Sequence, residues 1–136
     1  MKRDDCIFCR IANGEIPSNT VYEDAYFKAI LDLSPATKGH TLILPKDHFD
    51  DLFAADEETM GRILKTAQKI GAGMIKALHC DGINVVQNNG AAAGQTVRHL
   101  HVHLIPRYEG DGQTILWKPG EPTQDELEAI RKQIVE

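Results

Sequence analysis

His99-Leu100-His101-Val102-His103 is the pattern on which the predicted architecture depends. Side chains of a β-strand alternate between the two faces of a sheet, so a strand here would place three imidazoles on one face and apolar side chains on the other. Successive imidazoles would lie roughly 6–7 Å apart, at about 3.3 Å rise per residue. We therefore predict a strand, ended by Pro106, whose apolar face packs on the core and whose histidines line a cleft.

The rest of the chain carries patterns for four more strands and for three helices. The predicted strands are residues 21–23, 26–31, 41–44 and 83–86, and the predicted helices are 7–12, 57–78 and 123–135. Asp56 is an N-cap candidate for the long helix, and Thr123 with Glu126 forms a capping-box pattern at the last one. Regular alternation of strands and helices is missing, so we predict an α+β fold. It has an antiparallel sheet of about five strands, one long helix, a short N-terminal helix and a C-terminal helix.

Composition and charge restrict the class of protein. The chain has 136 residues, a formal net charge of -5 and 42% hydrophobic residues, as expected of one soluble domain. An acidic chain is not expected to bind nucleic acid or an anionic membrane surface. No apolar run approaches the roughly 20 residues of a membrane span, and no signal-peptide pattern follows Met1. The three cysteines do not resemble a secreted disulfide framework, so we expect a cytoplasmic protein.

The histidine pattern supports more than one chemistry. Three neutral imidazoles on one face can hold zinc with a fourth position open for water. Imidazole is also a nucleophile and a general acid or base near neutral pH. The third interpretation is a polar strand facing solvent. The loop before it, residues 88–96, combines glycines, amides and a hydroxyl that can surround phosphate oxygens, although such turns between strands commonly bind nothing.

The histidine pattern, with the two apolar residues after it, resembles the signature of the histidine-triad (HIT) superfamily. Further matching segments are Ile7-Phe8, Glu15-Ile16-Pro17, Leu31-Asp32-Leu33-Ser34-Pro35, Gly39-His40, Pro45-Lys46-Asp47-His48 and Gly94-Gln95-Thr96-Val97. The chain is most similar to bacterial-type members of the Hint branch. The resemblance implies a single HIT domain over residues 1–136, with a core at about 6–107 and a C-terminal extension at 108–136. It also implies a homodimer.

The resemblance implies an activity and a set of catalytic residues. Hint proteins cleave purine nucleoside 5'-phosphoramidates or related adenylates through a nucleotidyl-histidine intermediate and release a nucleoside monophosphate. His101 matches the nucleophile, His103 and His40 match the phosphate-supporting proton network, and Thr96 matches a hydroxyl near the scissile phosphate. No catalytic metal is required. The alternatives are a dinucleoside polyphosphate hydrolase of the same superfamily, a nucleotide-binding regulatory or scaffold protein, and a zinc hydrolase that uses the triad as ligands.

Nucleotide-binding positions carry over in the same way. Asp32 matches the acid that accepts hydrogen bonds from the ribose. The positions matched to the phosphate are Asn88, Gln95, Thr96, His101 and His103. The positions matched to the base are Phe8, Ile16, Ile30 and Leu33, for which core packing is the ordinary role of such residues.

The Cys-x-x-Cys pair near the N-terminus resembles the structural zinc site of bacterial-type members. The implied ligands are Cys6, Cys9, His48 and His99, a set of soft and borderline donors that suits Zn²⁺. This assignment uses His99 for structure and leaves His101 and His103 for chemistry. The alternative is a pair of reduced thiols without a metal.

Overall fold

The computed structural model describes residues 1–135 and contains one five-stranded antiparallel sheet. The strands are β1 (Thr20–Glu23), β2 (Phe27–Leu31), β3 (Thr41–Pro45), β4 (Gly82–Val86) and β5 (Val102–Arg107), in the spatial order β1-β2-β3-β5-β4. The helices are α1 (Ile7–Ala12), α2 (Glu57–Leu78) and α3 (Gln124–Val135), and a 3-10 turn spans Ala91–Ala93. The predicted α+β class and the five strands are confirmed.

The two faces of the sheet are covered by different helices. Helix α2 packs on a face whose buried residues are Phe27, Ala29, Ile43, Leu100, Val102 and Leu104. Helix α1 packs on the opposite face, where Ile30, Leu42 and Leu44 surround Ala12. Burying a side chain of this kind contributes about 1.5–3 kcal/mol, so both layers hold the sheet in place. His103 pairs with Leu42 and therefore falls on the α1 face. His101, which precedes β5, lies on the same side, against Phe8 of α1.

Strand β5 begins later than predicted. It starts at Val102, so His99, Leu100 and His101 lie before it. The Leu100 N–H donates 2.7 Å to the Phe49 carbonyl instead of to a strand of the sheet. The segment is therefore paired with the chain that follows β3, which the sequence pattern alone does not reveal.

Pro106 lies inside β5 and does not end it, so this part of the prediction is wrong. Pairing between β3 and β5 stops at Thr41 and Leu104, before Pro106 is reached. The Pro106 carbonyl accepts a hydrogen bond from the Thr37 hydroxyl. The backbone of Pro106 on the β3 side therefore faces the loop before β3 and not β3 itself. The missing N–H therefore removes no bond of the β3–β5 ladder.

Both longer helices begin where the capping residues predict. The Asp56 side chain accepts from the Thr59 N–H at 2.8 Å, and the Thr123 hydroxyl accepts from the Glu126 N–H at 3.2 Å. Leu64 is an exception to the apolar stripe of α2, because it is 61% exposed. Helix α3 has no buried residue. No helix within residues 1–135 combines the length and apolarity that crossing a membrane requires.

Candidate active site and metal centre

His101 is a buried imidazole whose tautomer is fixed by a backbone carbonyl. Its Nδ1 donates to the His99 carbonyl oxygen at 2.7 Å, so the neutral ring carries its lone pair on Nε2. The Phe8 ring meets the imidazole edge-on, with ring centroids 5.1 Å apart. Burial lowers the pKa of His101 below that of an ordinary histidine and favours the neutral, nucleophilic form. The arrangement suits attack by Nε2 on an electrophile.

The imidazoles of His103 and His40 lie beside His101 and are hydrogen-bonded to each other. The His101 and His103 ring centroids are 5.0 Å apart, closer than the 6–7 Å expected from an ideal strand. The Ala36 N–H donates to His40 Nδ1 at 2.9 Å, so the proton of neutral His40 is on Nε2. His40 Nε2 in turn donates to His103 Nδ1 at 2.9 Å. Neutral His103 therefore carries its proton on Nε2 and can donate to an anion.

Asp32, which directly follows β2, forms a row with His40 and His103. Its Oδ2 lies 3.6 Å from His40 Nε2, and its Oδ1 accepts from the Ser34 N–H at 2.8 Å. Burial lowers the pKa of His40, and the negative charge of Asp32 partly opposes that shift. For His103, burial and the neighbouring imidazoles together lower the pKa to about 4. The row Asp32–His40–His103 thus holds neutral imidazoles in defined tautomers at neutral pH.

Four other predicted residues meet in a separate cluster. The donor atoms of Cys6, Cys9, His48 and His99 all lie within 4.8 Å of one another. His99 Nε2 donates to the Pro45 carbonyl at 2.9 Å, which leaves the lone pair of Nδ1 facing the two sulfurs at 3.4 and 3.5 Å. The tautomer of His99 is therefore the one that a metal ligand needs.

His48 is oriented in the same way by a carboxylate. Its Nε2 donates to Asp50 Oδ1 at 2.8 Å, and its Nδ1 lies 3.4 Å from Cys9 Sγ. A carboxylate behind a ligating histidine is the usual support of a zinc ligand. Asp50 is not among the residues predicted from the sequence; the signal that could have found it is an acid two residues after a candidate ligand.

The sulfurs also fit a divalent cation. Backbone N–H groups donate to both of them, from Arg3 to Cys9 at 3.3 Å and from Cys9 to Cys6 at 3.4 Å. In a tetrahedral site with Zn–S about 2.3 Å and Zn–N about 2.0–2.1 Å, the sulfur and nitrogen donors lie about 3.6 Å apart. The sulfur–nitrogen distances of 3.4–3.5 Å agree with this geometry. Burial, together with the neighbouring Cys6 thiol, raises the pKa of the Cys9 thiol, and a bound cation would favour the thiolate instead.

The row Asp32–His40–His103 also brings three donor residues together, but it does not fit a metal. The Ala36 N–H occupies the lone pair of His40 Nδ1, so ligation through Nε2 would require that nitrogen to give up its proton as well. A histidine without either proton is an imidazolate, which is unfavourable beside a carboxylate. The row instead holds neutral His103 with a free Nε2–H that can donate to an anion.

The loop between β4 and β5 is held by Gln95. The Gln95 amide nitrogen donates to the carbonyls of Asp50 and Val97 at 2.7 and 3.0 Å, and its oxygen accepts from the Gly90 N–H at 2.8 Å. Gln95 is buried, so its side chain supports the loop from inside. Thr96 is exposed, and its hydroxyl remains accessible to a ligand.

Two neighbouring asparagines of this loop have different surroundings. The Asn89 amide bonds with Gln87 at 2.7 and 2.9 Å and accepts from the Leu52 N–H at 2.8 Å. Asn88 packs against Gly94, where an added Cβ would lie 3.4 Å from its Nδ2. Within residues 1–135 the Asn88 side chain forms no hydrogen bond, so it is the asparagine free to meet a ligand.

Two of the residues matched to a base line one cavity. Ile30 and Leu33 line a cavity of about 270 Å³ together with Pro17 and Asn19. Phe8 packs against His101 and against the apolar cluster that contains Ile30. Ile30 is buried in the core beneath α1, whereas Leu33 is 87% exposed. The structure thus brings His101, His103, His40 and Asp32 together. Phe8 lies against His101, and an apolar cavity is lined by Ile30 and Leu33, on either side of Asp32 in the sequence.

Comparison with known proteins agrees with this geometry. A sequence model of the HIT domain matches residues 13–110. A protein of Streptococcus mutans UA159 has a crystal structure that superposes with a TM-score of 0.93 at 40% identity, covering 98% of this chain and 85% of that one. The adenosine 5'-monophosphoramidase of Saccharomyces cerevisiae is 40% identical over 131 residues, which are 96% of this chain and 80% of the yeast protein.

A third relative contains metal. The crystal structure of a zinc-bound histidine triad family protein from Mycobacterium smegmatis superposes with a TM-score of 0.78 at 39% identity, covering 96% of both chains. The donor set of Cys6, Cys9, His48 and His99 is compatible with the same ion. The extent of these matches, together with the sequence signature around His101, shows that the chain belongs to the HIT family.

Proposed function

We propose that the protein hydrolyses purine nucleoside 5'-phosphoramidates or related adenylates and releases the nucleoside monophosphate. The observation that carries this proposal is the hydrogen bond from His101 Nδ1 to the His99 carbonyl, which leaves a lone pair on Nε2 of a buried ring. The similarity to the yeast adenosine 5'-monophosphoramidase supports the choice of substrate.

The reaction has two steps. His101 Nε2 attacks the α-phosphorus, the P–N bond breaks, and its electron pair leaves with the amine, which takes a proton from water. The ring becomes a nucleotidyl-imidazolium that still donates from Nδ1 to the His99 carbonyl, so that carbonyl stabilises the developing positive charge. Water then attacks phosphorus, breaks the P–N bond to His101 and loses a proton, which regenerates neutral His101.

The neighbouring groups bind and stabilise the phosphoryl group. His103 Nε2–H donates to a phosphoryl oxygen, and the bond from His40 holds the His103 ring in the tautomer that permits this. Thr96 and the Asn88 amide provide further donors at the exposed side of the loop. Asp32 accepts hydrogen bonds from the ribose hydroxyls.

The metal centre has a supporting role in this proposal. Cys6, Cys9, His48 and His99 would hold Zn²⁺, which when bound cross-links the N-terminal segment to the chain on both sides of the active site. With four protein donors, such a site would be structural, and no position would remain open for a catalytic water.

Release of AMP from adenosine 5'-phosphoramidate tests the proposal. His101→Gly and His101→Ala should lower kcat by about 10³-fold or more, as expected when a covalent nucleophile is removed. His79→Gly is a matched control, because His79 is exposed and its φ of 54° is readily adopted by glycine. Full activity of the His101 variants would contradict the proposal.

A parallel assay separates the substrate classes. We expect the protein to prefer the phosphoramidate over a diadenosine polyphosphate, measured as kcat/KM with the same preparation. The reverse preference would assign the chain to the dinucleoside polyphosphate hydrolases. Tight AMP binding without turnover of either substrate would instead favour a nucleotide-binding regulatory protein.

A further inference from the structure

Residues 48–52, the segment that follows β3, contact both the metal centre and the phosphate loop (residues 88–96). At one end, His48 belongs to the cluster of donor atoms and its ring is held by Asp50 Oδ1 at 2.8 Å. At the other, the Asp50 carbonyl accepts from Gln95 at 2.7 Å. Asp50 thus contacts the metal ligand His48 with its side chain and the loop with its backbone carbonyl.

Gln95 extends this connection to the loop backbone. Its oxygen accepts from the Gly90 N–H at 2.8 Å, and its amide group is buried with all these partners in place. Leu52 forms a second hydrogen bond between this segment and the loop, because its N–H donates to Asn89 Oδ1 at 2.8 Å. A displacement of Asp50 must therefore move Gln95 or break a partly buried hydrogen bond, which costs free energy.

Ion pairs connect Asp50 to the outside of the same region. Arg98, which follows the loop, has its guanidinium 3.5 Å from Asp50 Oδ2, and Arg3 from the N-terminal segment approaches Asp50 Oδ1 at 4.0 Å. Both arginines are more than half exposed, so these pairs contribute little stability by themselves. The hydrogen bond from His48 Nε2 to Asp50 Oδ1 is therefore the contact that connects Asp50 to the metal centre.

We propose that Asp50 is a positioning residue that couples metal binding to nucleotide binding through His48, Asp50 and Gln95. This proposal rests on the proposed function, since it takes the phosphate loop to be the nucleotide site. A bound metal fixes the His48 ring, the ring fixes Asp50, and the Asp50 carbonyl holds Gln95 and the loop in the form that receives phosphate. Coupling of this kind is reciprocal, so nucleotide must tighten metal binding by the factor by which metal tightens nucleotide binding.

The test measures the Zn²⁺ dissociation constant of the full chain by chelator competition, with and without saturating AMP. In the wild type, AMP should tighten Zn²⁺ binding by about fivefold or more, the lower end of typical coupling factors. Asp50→Ala should reduce this factor to less than half of its wild-type value. Asp50→Asn should retain it, because an amide oxygen can still accept from His48 Nε2–H.

Asp51→Ala is the matched control. Asp51 accepts from the N–H groups of Phe53 and Ala54, at 3.0 and 3.1 Å, and bonds to neither His48 nor Gln95. Loss of a merely structural contact lowers Zn²⁺ affinity equally with and without AMP and leaves the coupling factor unchanged. A wild-type factor near one, an Asp50→Ala factor equal to the wild type, or a factor in Asp50→Asn or Asp51→Ala as low as that in Asp50→Ala would each overturn the proposal.

Hydrogen exchange provides a readout that needs no nucleotide. Zn²⁺ should slow exchange of the Gly90 amide in the wild type and have little effect on it in Asp50→Ala, because the bond to Gln95 is then no longer fixed from the metal side. Equal slowing in both proteins would overturn the coupling even if AMP binds. Failure of AMP to bind, with the exchange difference intact, would overturn the proposed function and the nucleotide half of this inference while leaving the metal-to-loop connection standing.

Discussion

Replacing Gly39 with alanine tests the contact between the β2–β3 connection and helix α2. Gly39 precedes His40 and has a φ of +93°, in the region that residues with a side chain rarely adopt. An added Cβ would lie 2.5 Å from Leu78 Cδ1 and 3.3 Å from Pro106 Cγ. The substitution therefore combines backbone strain with a steric clash.

The two contributions can be separated by a second glycine. Gly14 has a similar φ of +82°, but a Cβ added there meets nothing within 4 Å. Gly14→Ala should therefore cost only the strain of the backbone, about 1–2 kcal/mol. Gly39→Ala adds the clash. Leu78 can rotate away because it is only partly buried, whereas the Pro106 ring cannot, so we expect a further cost of about 1–3 kcal/mol, as for an overpacked core.

Urea unfolding followed by circular dichroism, in excess Zn²⁺, measures both variants against the wild type. We expect Gly39→Ala to lower the free energy of unfolding by at least about 1 kcal/mol more than Gly14→Ala does. It should also lower activity, because its backbone leads directly into the His40–His103 hydrogen bond. Equal destabilisation by the two substitutions would refute the assigned contact with α2 and Pro106.

Three further predictions concern the charges and ligands of the site. The pKa of His103 is lowered to about 4 by burial, so its contribution to stability is complete above pH 6.5 and is lost as the pH falls toward 4. Urea unfolding across this range should show a smaller loss of stability for His103→Asn than for the wild type, and equal losses would contradict the buried, neutral state. Cys9→Ala should reduce bound zinc, measured by elemental analysis, from about one per chain to nearly none. Cys80→Ala is the control and should keep its zinc, because Cys80 lies outside the donor cluster. Retention of zinc by Cys9→Ala would rule out the assigned ligand set. Asp32→Asn should weaken AMP binding by about tenfold, corresponding to the loss of a hydrogen bond to a charged group, and should affect 2'-deoxy-AMP less by calorimetry; equal weakening of both would place the 2'-hydroxyl away from Asp32.

The elements that the sequence predicts well are those with local signals. Helix α2 begins after Asp56 and ends at Leu78, as its N-cap and its 3.6-residue period predict. Its side chains at Ile63, Ala67 and Met74 are buried, but Leu64 is not, since periodicity alone does not define the width of the buried stripe. The start of the strand through His103 has no local signal, because the segment before it bonds to the distant carbonyl of Phe49.

The site shows the same division between local and distant information. The spacing of the histidines indicates which face each ring takes, but not which nitrogen carries a proton. That choice is made by the Ala36 N–H and by the carbonyls of His99 and Pro45, backbone groups that no side-chain motif identifies. The different roles of Asn88 and Asn89 likewise depend on contacts formed only when the chain folds.

A covalent nucleotide on His101 is the central claim, and rapid-quench mass spectrometry of the intact protein tests it most directly. Mixing the wild type with adenosine 5'-phosphoramidate should produce a transient adduct of AMP, which peptide mapping locates at His101. His101→Ala and His101→Gly should form none, whereas His79→Gly should form it as the wild type does. Turnover by the wild type with an adduct on another residue, or an adduct that persists in His101→Ala, would contradict the account.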